Sequence, residues 1–201
     1  RDADRLRASL KVDKTFLLNL MSSPGSGKTT TLMRTIEHLK DKIRIGVMEA
    51  DIDSSVDAHT ISTTGVKAVQ LHTGGMCHLD ADMTRQGLTE LGTEELDMVV
   101  LENVGKLVCP AEFSIGEHVM MLISTVTEGS DKPYKYPLAF EKADLIILNK
   151  VDLIPYLDFD EEFYMKGVRA LNKDVPVFKV SGKTGEGFDE VVAWLTERAN
   201  K

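Results

Sequence analysis

Leu17-Leu18-Asn19-Leu20-Met21-Ser22-Ser23-Pro24-Gly25-Ser26-Gly27-Lys28-Thr29-Thr30 is the stretch that decides the fold. An apolar run ends in a tight Gly/Ser/Pro turn, and Gly27-Lys28-Thr29 opens a helical pattern. Strand, turn and helix in that order are the setting of a phosphate-binding P-loop. Gly25 and Gly27, with Ser26 between them, let main-chain N–H groups close on an anion. The helix that begins at Lys28 turns its N–H groups and positive dipole end toward the same anion. Lys28 then reaches the β- and γ-phosphates, and Thr29, followed by Thr30, offers a hydroxyl to Mg²⁺. The strict pattern has Gly at position 22, where this chain has Ser22. A serine-rich turn that binds nothing is the plain alternative. The coincidence of strand, Lys-Thr and helix argues against it.

Working outward, buried-type apolar runs recur over 16–21, 43–48, 66–71, 97–101, 119–126, 144–148 and 175–180. Most are apolar on both faces, as strands of a parallel sheet covered on both sides are. Helical patterns lie between them, over 28–40, from the segment after Gly74 to Leu91, over 137–143 and over 188–199. Residues 127–136 read as a polar loop. The expected fold is α/β, a three-layer P-loop NTPase with a mainly parallel β-sheet flanked by helices. Residues 1–13, with Leu6 and Leu10 four apart, read as a short amphipathic helix or a leader. Residues 14–201 read as one P-loop domain.

The bulk numbers fit that expectation. The chain has 201 residues, 42% hydrophobic and 28% charged, enough for one full core. A net charge of −8 without a dense Lys/Arg run argues against a nucleic-acid-coating protein. Two cysteines do not make a secreted disulfide framework. No apolar run reaches membrane-spanning length and no signal-peptide pattern is seen, so the cytoplasm is the default. The chain starts at Arg1 rather than Met, which leaves room for a segment upstream.

The sixth expected strand delivers Asn149-Lys150-Val151-Asp152. A carboxylate at Asp152 accepts from guanine N1–H and the exocyclic amine, which adenine does not offer in that arrangement. The Asn149 amide buttresses the loop and meets the base edge, and the Lys150 stem covers the flat face. Polar groups left unpaired by the wrong base give strong discrimination. Further on, Ser181-Gly182-Lys183 resembles the Ser-Ala-Lys loop that closes over the guanine carbonyl, with Gly182 for the usual Ala as a small change. Together with the P-loop roughly 120 residues earlier, this points to GTP and GDP rather than ATP.

Two acidic segments follow strands. Glu49-Ala50-Asp51-Ile52-Asp53 lies past the second strand, at the sheet edge where α/β ligands bind. Asp51 there serves Mg²⁺, and Asp53 is the candidate to orient the attacking water; a solvated loop with an Asp helix cap is the alternative. Glu102-Asn103-Val104-Gly105 ends the fourth strand and resembles the acidic-x-x-Gly element of GTPases, where Glu102 assists Mg²⁺ and Gly105 senses the γ-phosphate. Lys106 stands where Ras-like enzymes carry a water-positioning Gln, so slow intrinsic hydrolysis is expected.

Cys77 and His78 are adjacent, and Cys109 follows the next strand. Thiolate and imidazole suit Zn²⁺ and Ni²⁺. Three ligands do not fill a tetrahedron, whereas two chains facing across a two-fold axis supply enough. Two core cysteines and a helix-capping histidine account for the same residues equally well.

The motifs quoted, with Cys77-His78-Leu79-Asp80-Ala81 and Leu107-Val108-Cys109-Pro110-Ala111, resemble the HypB family of hydrogenase nickel-incorporation GTPases over nearly the whole chain. The Cys-Pro-His motif of the related urease GTPases is absent. The resemblance implies a GTP-dependent homodimer acting in [NiFe] hydrogenase maturation. It implies Ni²⁺ or Zn²⁺ held by Cys77, His78 and Cys109 at the dimer interface, a HypA-type nickel chaperone as partner, and the hydrogenase large-subunit precursor as target. Lys106 departs from the family's usual Asn, and Gly75-Met76 replaces a stretch that often carries Lys. The Cys-rich nickel motif and His-rich tract of some members are missing, so nickel storage is not expected unless an upstream segment holds them. Two other readings are a metal-binding scaffold that uses nucleotide only as structural glue, and a GTP-dependent switch such as a cobalamin-enzyme chaperone.

Overall fold

The structure is a computed structural model that describes residues 2–12, 14–22, 26–50, 58–71, 81–102 and 118–200. Strands β1 (Phe16–Ser22), β2 (Ile45–Glu49), β3 (Lys67–Gln70), β4 (Met98–Glu102), β5 (Val119–Thr125), β6 (Leu145–Asn149) and β7 (Val177–Lys179) form one 7-stranded sheet in the order β3-β2-β4-β1-β5-β6-β7. Every pairing in it is parallel. The helices are α1 (Asp2–Val12), α2 (Lys28–Leu39), α3 (Ala58–Ser62), α4 (Ala81–Leu91), α5 (Lys132–Lys135), α6 (Pro137–Lys142), α7 (Glu161–Leu171) and α8 (Phe188–Ala199).

Alternation along each strand divides the core between two faces. Leu18 and Leu20 of β1, with Leu145 and Ile147 of β6, pack with Leu32 and Ile36 of α2 and Val191 and Leu195 of α8. The opposite side chains face the other layer. Leu17, Val99 and Leu101 meet Leu6 and Leu10 of α1 and Leu88 of α4. Met21, Leu122, Ile146 and Leu148 meet Phe140, Tyr164 and Val168 of α6 and α7. The three-layer α/β expectation is met. Helix α1 is pinned to it, because Leu6 and Leu10 are buried and His118, whose Nδ1 accepts from the Leu17 N–H of β1 at 3.0 Å, sets its Nε2 3.4 Å from the Arg7 carbonyl of α1.

Two local expectations need correction. Residues 127–136 are not simply a polar loop: a 3-10 turn spans Val126–Glu128, and α5 follows with Pro133 in its first turn. Ion pairs Lys132–Glu128 at 3.6 Å and Lys135–Asp131 at 3.1 Å support it. Helix α7 had no counterpart in the sequence reading, although Asp160 caps it by accepting from the Phe163 N–H at 2.9 Å. Strands β1, β2, β4 and β6 each run one residue past their expected ends, to Ser22, Glu49, Glu102 and Asn149. All four terminal side chains are polar and buried. Among the described residues no helix is long and apolar enough to cross a membrane.

Candidate nucleotide site

Because all pairings are parallel, the C-terminal ends of the strands share one edge, where α/β folds hold their ligands. The register sets Glu102 of β4 beside Leu20 of β1 and Glu49 of β2, and Asn149 of β6 beside Thr125 of β5. Gly27 joins β1 to α2 at φ 81° and ψ 30°. That left-handed backbone favours glycine, and a Cβ there would also collide with the Asn149 amide. No side chain caps α2, so its N-terminus faces the same edge uncapped. The Ser26 hydroxyl is buried to 1% exposure and has no hydrogen-bond partner among the described residues. An orphaned donor beside a helix N-terminus suits an anionic ligand oxygen.

Lys28 opens α2 and brings its Nζ to 3.5 Å from Glu102 Oε1, with the two side chains 11% and 0% exposed. A buried carboxylate is costly without a cation nearby. Glu49, 1% exposed, stands next to Glu102 across the β2–β4 pairing. Sequence reasoning assigned no role to Glu49; the signal was an acidic residue closing an apolar strand. The Thr29 hydroxyl and the Glu102 carboxylate are hard oxygen donors of the kind Mg²⁺ takes, and so they fit that ion.

Asn149 spans the site. Its Nδ2 donates to the Ser26 carbonyl at 3.0 Å, and its Oδ1 accepts from the Gly182 N–H at 3.0 Å. Both ends of the amide are thus used to tie the phosphate loop to the segment after β7. Lys150 follows at φ 63°, a left-handed angle that a non-glycine residue rarely takes. It starts the 3-10 segment Val151–Tyr156, which carries Asp152 in its first turn. A Cβ built on Gly27 would lie 3.7 Å from Lys150 Cε, so the lysine stem runs alongside the phosphate loop.

The Ser181-Gly182-Lys183 segment is braced from inside and from α2. Ser181 is fully buried, and its Oγ accepts from the Thr184 N–H at 3.1 Å. Arg34 of α2 donates to the Gly182 carbonyl at 2.9 Å and to the Lys183 carbonyl at 3.0 Å. A Cβ on Gly182 would come within 2.7 Å of Thr30 Cγ2. The structure therefore brings Ser26, Gly27, Lys28, Thr29, Thr30, Glu102, Asn149, Lys150, Asp152, Ser181, Gly182 and Lys183 to one edge. The expected Gly25, Asp51, Asp53, Cys77, His78, Gly105 and Cys109 lie outside the described residues. Arg34 and Glu49 join the site as residues that the sequence reading left without a role.

Residues 16–179 match the family model described as CobW/HypB/UreG, nucleotide-binding domain. The hydrogenase maturation factor HypB of Azotobacter vinelandii is 49% identical over 195 residues, covering 97% of this chain and 64% of that protein. The chain therefore spans less than two thirds of that relative's length. Among solved structures, the hydrogenase maturation factor HypB from Archaeoglobus fulgidus superposes with a TM-score of 0.91 at 36% identity, covering 99% of this chain and 97% of that one. HypB from Helicobacter pylori, solved in complex with nickel, superposes with a TM-score of 0.90 at 33% identity, covering 99% of this chain and 94% of that one. The chain belongs to the CobW/HypB/UreG nucleotide-binding domain family, and within it to the HypB group.

Proposed function

We propose that the chain binds Mg-GTP and hydrolyses it slowly to GDP and phosphate, and that this cycle drives nickel delivery in [NiFe] hydrogenase maturation. The observation that carries the reading is the Asn149 brace, which fixes a guanine-type Asn-Lys-x-Asp segment against a P-loop. The nickel in the Helicobacter pylori HypB structure supports the cargo.

In this reading Asp152 accepts from guanine N1–H and amine, while Lys150 covers the base. The Gly25–Thr30 turn cradles the phosphates, and the Lys28 ammonium offsets charge developing on the transferring phosphoryl group. Thr29, Asp51 and Glu102 would hold Mg²⁺, which when bound would neutralise charge on the phosphates. Asp53 orients the attacking water. Lys106, after Gly105, supplies no amide for that task, which keeps the intrinsic rate low. Cys77, His78 and Cys109 of two facing subunits hold Ni²⁺ or Zn²⁺. The γ-phosphate orders the Asp51 and Glu102 segments, and this brings two subunits together and couples the nucleotide to the metal. A HypA-type chaperone is the partner in this scheme, the hydrogenase large-subunit precursor the target, and the cytoplasm the place.

The test is nickel and zinc binding by the apo protein, with Mg-GDP and with a Mg-GTP analogue, recording molecular mass in parallel with single-turnover hydrolysis. Nucleotide-dependent metal stoichiometry, a doubled mass and loss of nickel in Cys77→Ala/Cys109→Ala support the proposal. Hydrolysis no faster than background, with metal binding indifferent to nucleotide, replaces it by the scaffold reading.

A further inference from the structure

We propose that Arg34 is the positioning residue of the base-closing loop, aiming the Lys183 backbone N–H at the guanine carbonyl; the inference rests on the guanine reading above. Arg34 lies on α2, whose first turn faces the phosphates, and its guanidinium reaches across to the segment after β7. Nε donates to the Gly182 carbonyl at 2.9 Å and Nη2 to the Lys183 carbonyl at 3.0 Å. The loop curls around the guanidinium, since a Cβ on Gly185 (φ +86°) would lie 3.5 Å from Nη1.

The consequence follows from the peptide unit. In a trans peptide the C=O and the next residue's N–H point in opposite directions. A carbonyl of Gly182 held toward α2 therefore turns the Lys183 N–H away from α2. The same rule applied to the Lys183 carbonyl turns the Thr184 N–H inward, where it donates to Ser181 Oγ at 3.1 Å. The Gly182 N–H is already taken by Asn149 Oδ1 at 3.0 Å. Among the described residues this leaves the Lys183 N–H as the donor in 182–184 with no protein acceptor. Asn149, which binds the Gly182 N–H, belongs to the guanine-reading motif, so the donor left over stands next to the base. The planar fork of arginine makes both bonds at once, whereas lysine, a single point donor, holds one carbonyl well. One rigid helix thus registers the phosphate end against the base end.

The test compares wild type, Arg34→Ala and Arg34→Lys for affinity to GDP, ADP and 2-aminopurine riboside diphosphate, which lacks the 6-carbonyl of guanine and with it the N1–H, so each variant is compared with wild type on the same nucleotide. A urea melt monitors each variant's fold. Arg34→Ala is expected to lose about tenfold in GDP affinity. Its affinity for the 2-aminopurine nucleotide is expected to stay within about twofold, and Arg34→Lys to recover part of the loss. Equal loss for both nucleotides, or no loss at all, overturns the inference. Should Arg34→Ala not fold, the same comparison on Arg34→Lys decides by the same criterion. Wild type binding GDP no better than ADP sinks the guanine reading itself, and this inference with it. A wild-type guanine preference with uniform loss in the variants removes only the role of Arg34.

Discussion

The side-chain amide of Asn149 donates to the Ser26 carbonyl at 3.0 Å, joining the Asn-Lys-x-Asp segment to the P-loop. The same amide accepts from the Gly182 N–H. Asn149→Ala would leave two backbone groups without partners in a buried place, at about 1–3 kcal/mol each before relaxation. The expected result is a urea midpoint lowered by the equivalent of about 2 kcal/mol and GDP affinity lowered at least about tenfold. Asn149→Asp keeps the acceptor for Gly182 but has no proton for Ser26, and it adds a buried charge. It should therefore do no better than alanine, which isothermal calorimetry with GDP checks.

Lys28 and Glu102 form a partly buried pair at 3.5 Å. Lys28→Ala takes away a cation 3.5 Å from a fully buried carboxylate and is expected to lower stability by about 2 kcal/mol. It should also reduce single-turnover GTP hydrolysis by about 10²-fold or more, since the ammonium is assigned to transition-state charge. Lys28→Ala/Glu102→Gln also removes the buried negative charge. It should recover most of the stability and none of the hydrolysis. A double variant as unstable as the single one would mean that the pair has no electrostatic coupling.

Much of this architecture was legible because buried parallel strands are continuous apolar runs and the two nucleotide motifs are local in sequence. What escaped was largely non-local. Glu49 and Glu102 are neighbours only because β2 and β4 lie side by side in the sheet. Arg34 meets Gly182 across 148 positions. Helix α7 was hidden by Gly167 in its middle, a residue that reads as a break. In the fold it gives room for Tyr134, whose ring carbon would lie 2.7 Å from a Cβ there. Cys77, His78 and Cys109 were legible by chemical type, and all three lie outside the described residues.

Asp97 offers a pH test that is independent of nucleotide. Its carboxylate accepts from the Arg44 backbone N–H at 2.8 Å and from Arg44 Nε and Nη2 at 3.3 and 3.2 Å, tying the starts of β2 and β4. The Arg44 side-chain hydrogen bond holds the Asp97 carboxyl below the usual carboxylate range. With a folded pKa below the unfolded one, the stabilisation is complete above the unfolded value of about 3.9 and fades as pH falls through the lower folded value. The stability gap between wild type and Asp97→Asn is therefore expected to be widest near neutrality and to close below about pH 4. High salt should narrow it, because the pair is largely exposed. Urea melts at neutral and acid pH, each at two salt concentrations, measure this; a gap constant with pH would remove Asp97 from the titration.

Gly182 and Thr30 are coupled by contact. The Ala usual at this loop position in related GTPases would place a Cβ 2.7 Å from Thr30 Cγ2 and 3.0 Å from Thr30 Cβ. Gly182 is therefore not an idle replacement: the threonine methyl occupies the space that an alanine would need. Overpacking of this kind costs about 1–3 kcal/mol, and here it would push the loop off the Arg34 and Asn149 bonds as well. Gly182→Ala is expected to lower both the melting midpoint and GDP affinity. Thr30→Ser alone removes the methyl, keeps the hydroxyl and should change little. Thr30→Ser/Gly182→Ala should then recover at least about half of the loss, because serine vacates the Cγ2 position and leaves only the milder Cβ contact. Strict additivity of the two substitutions, in stability and in GDP affinity, would show that the loop yields to the alanine without help from Thr30.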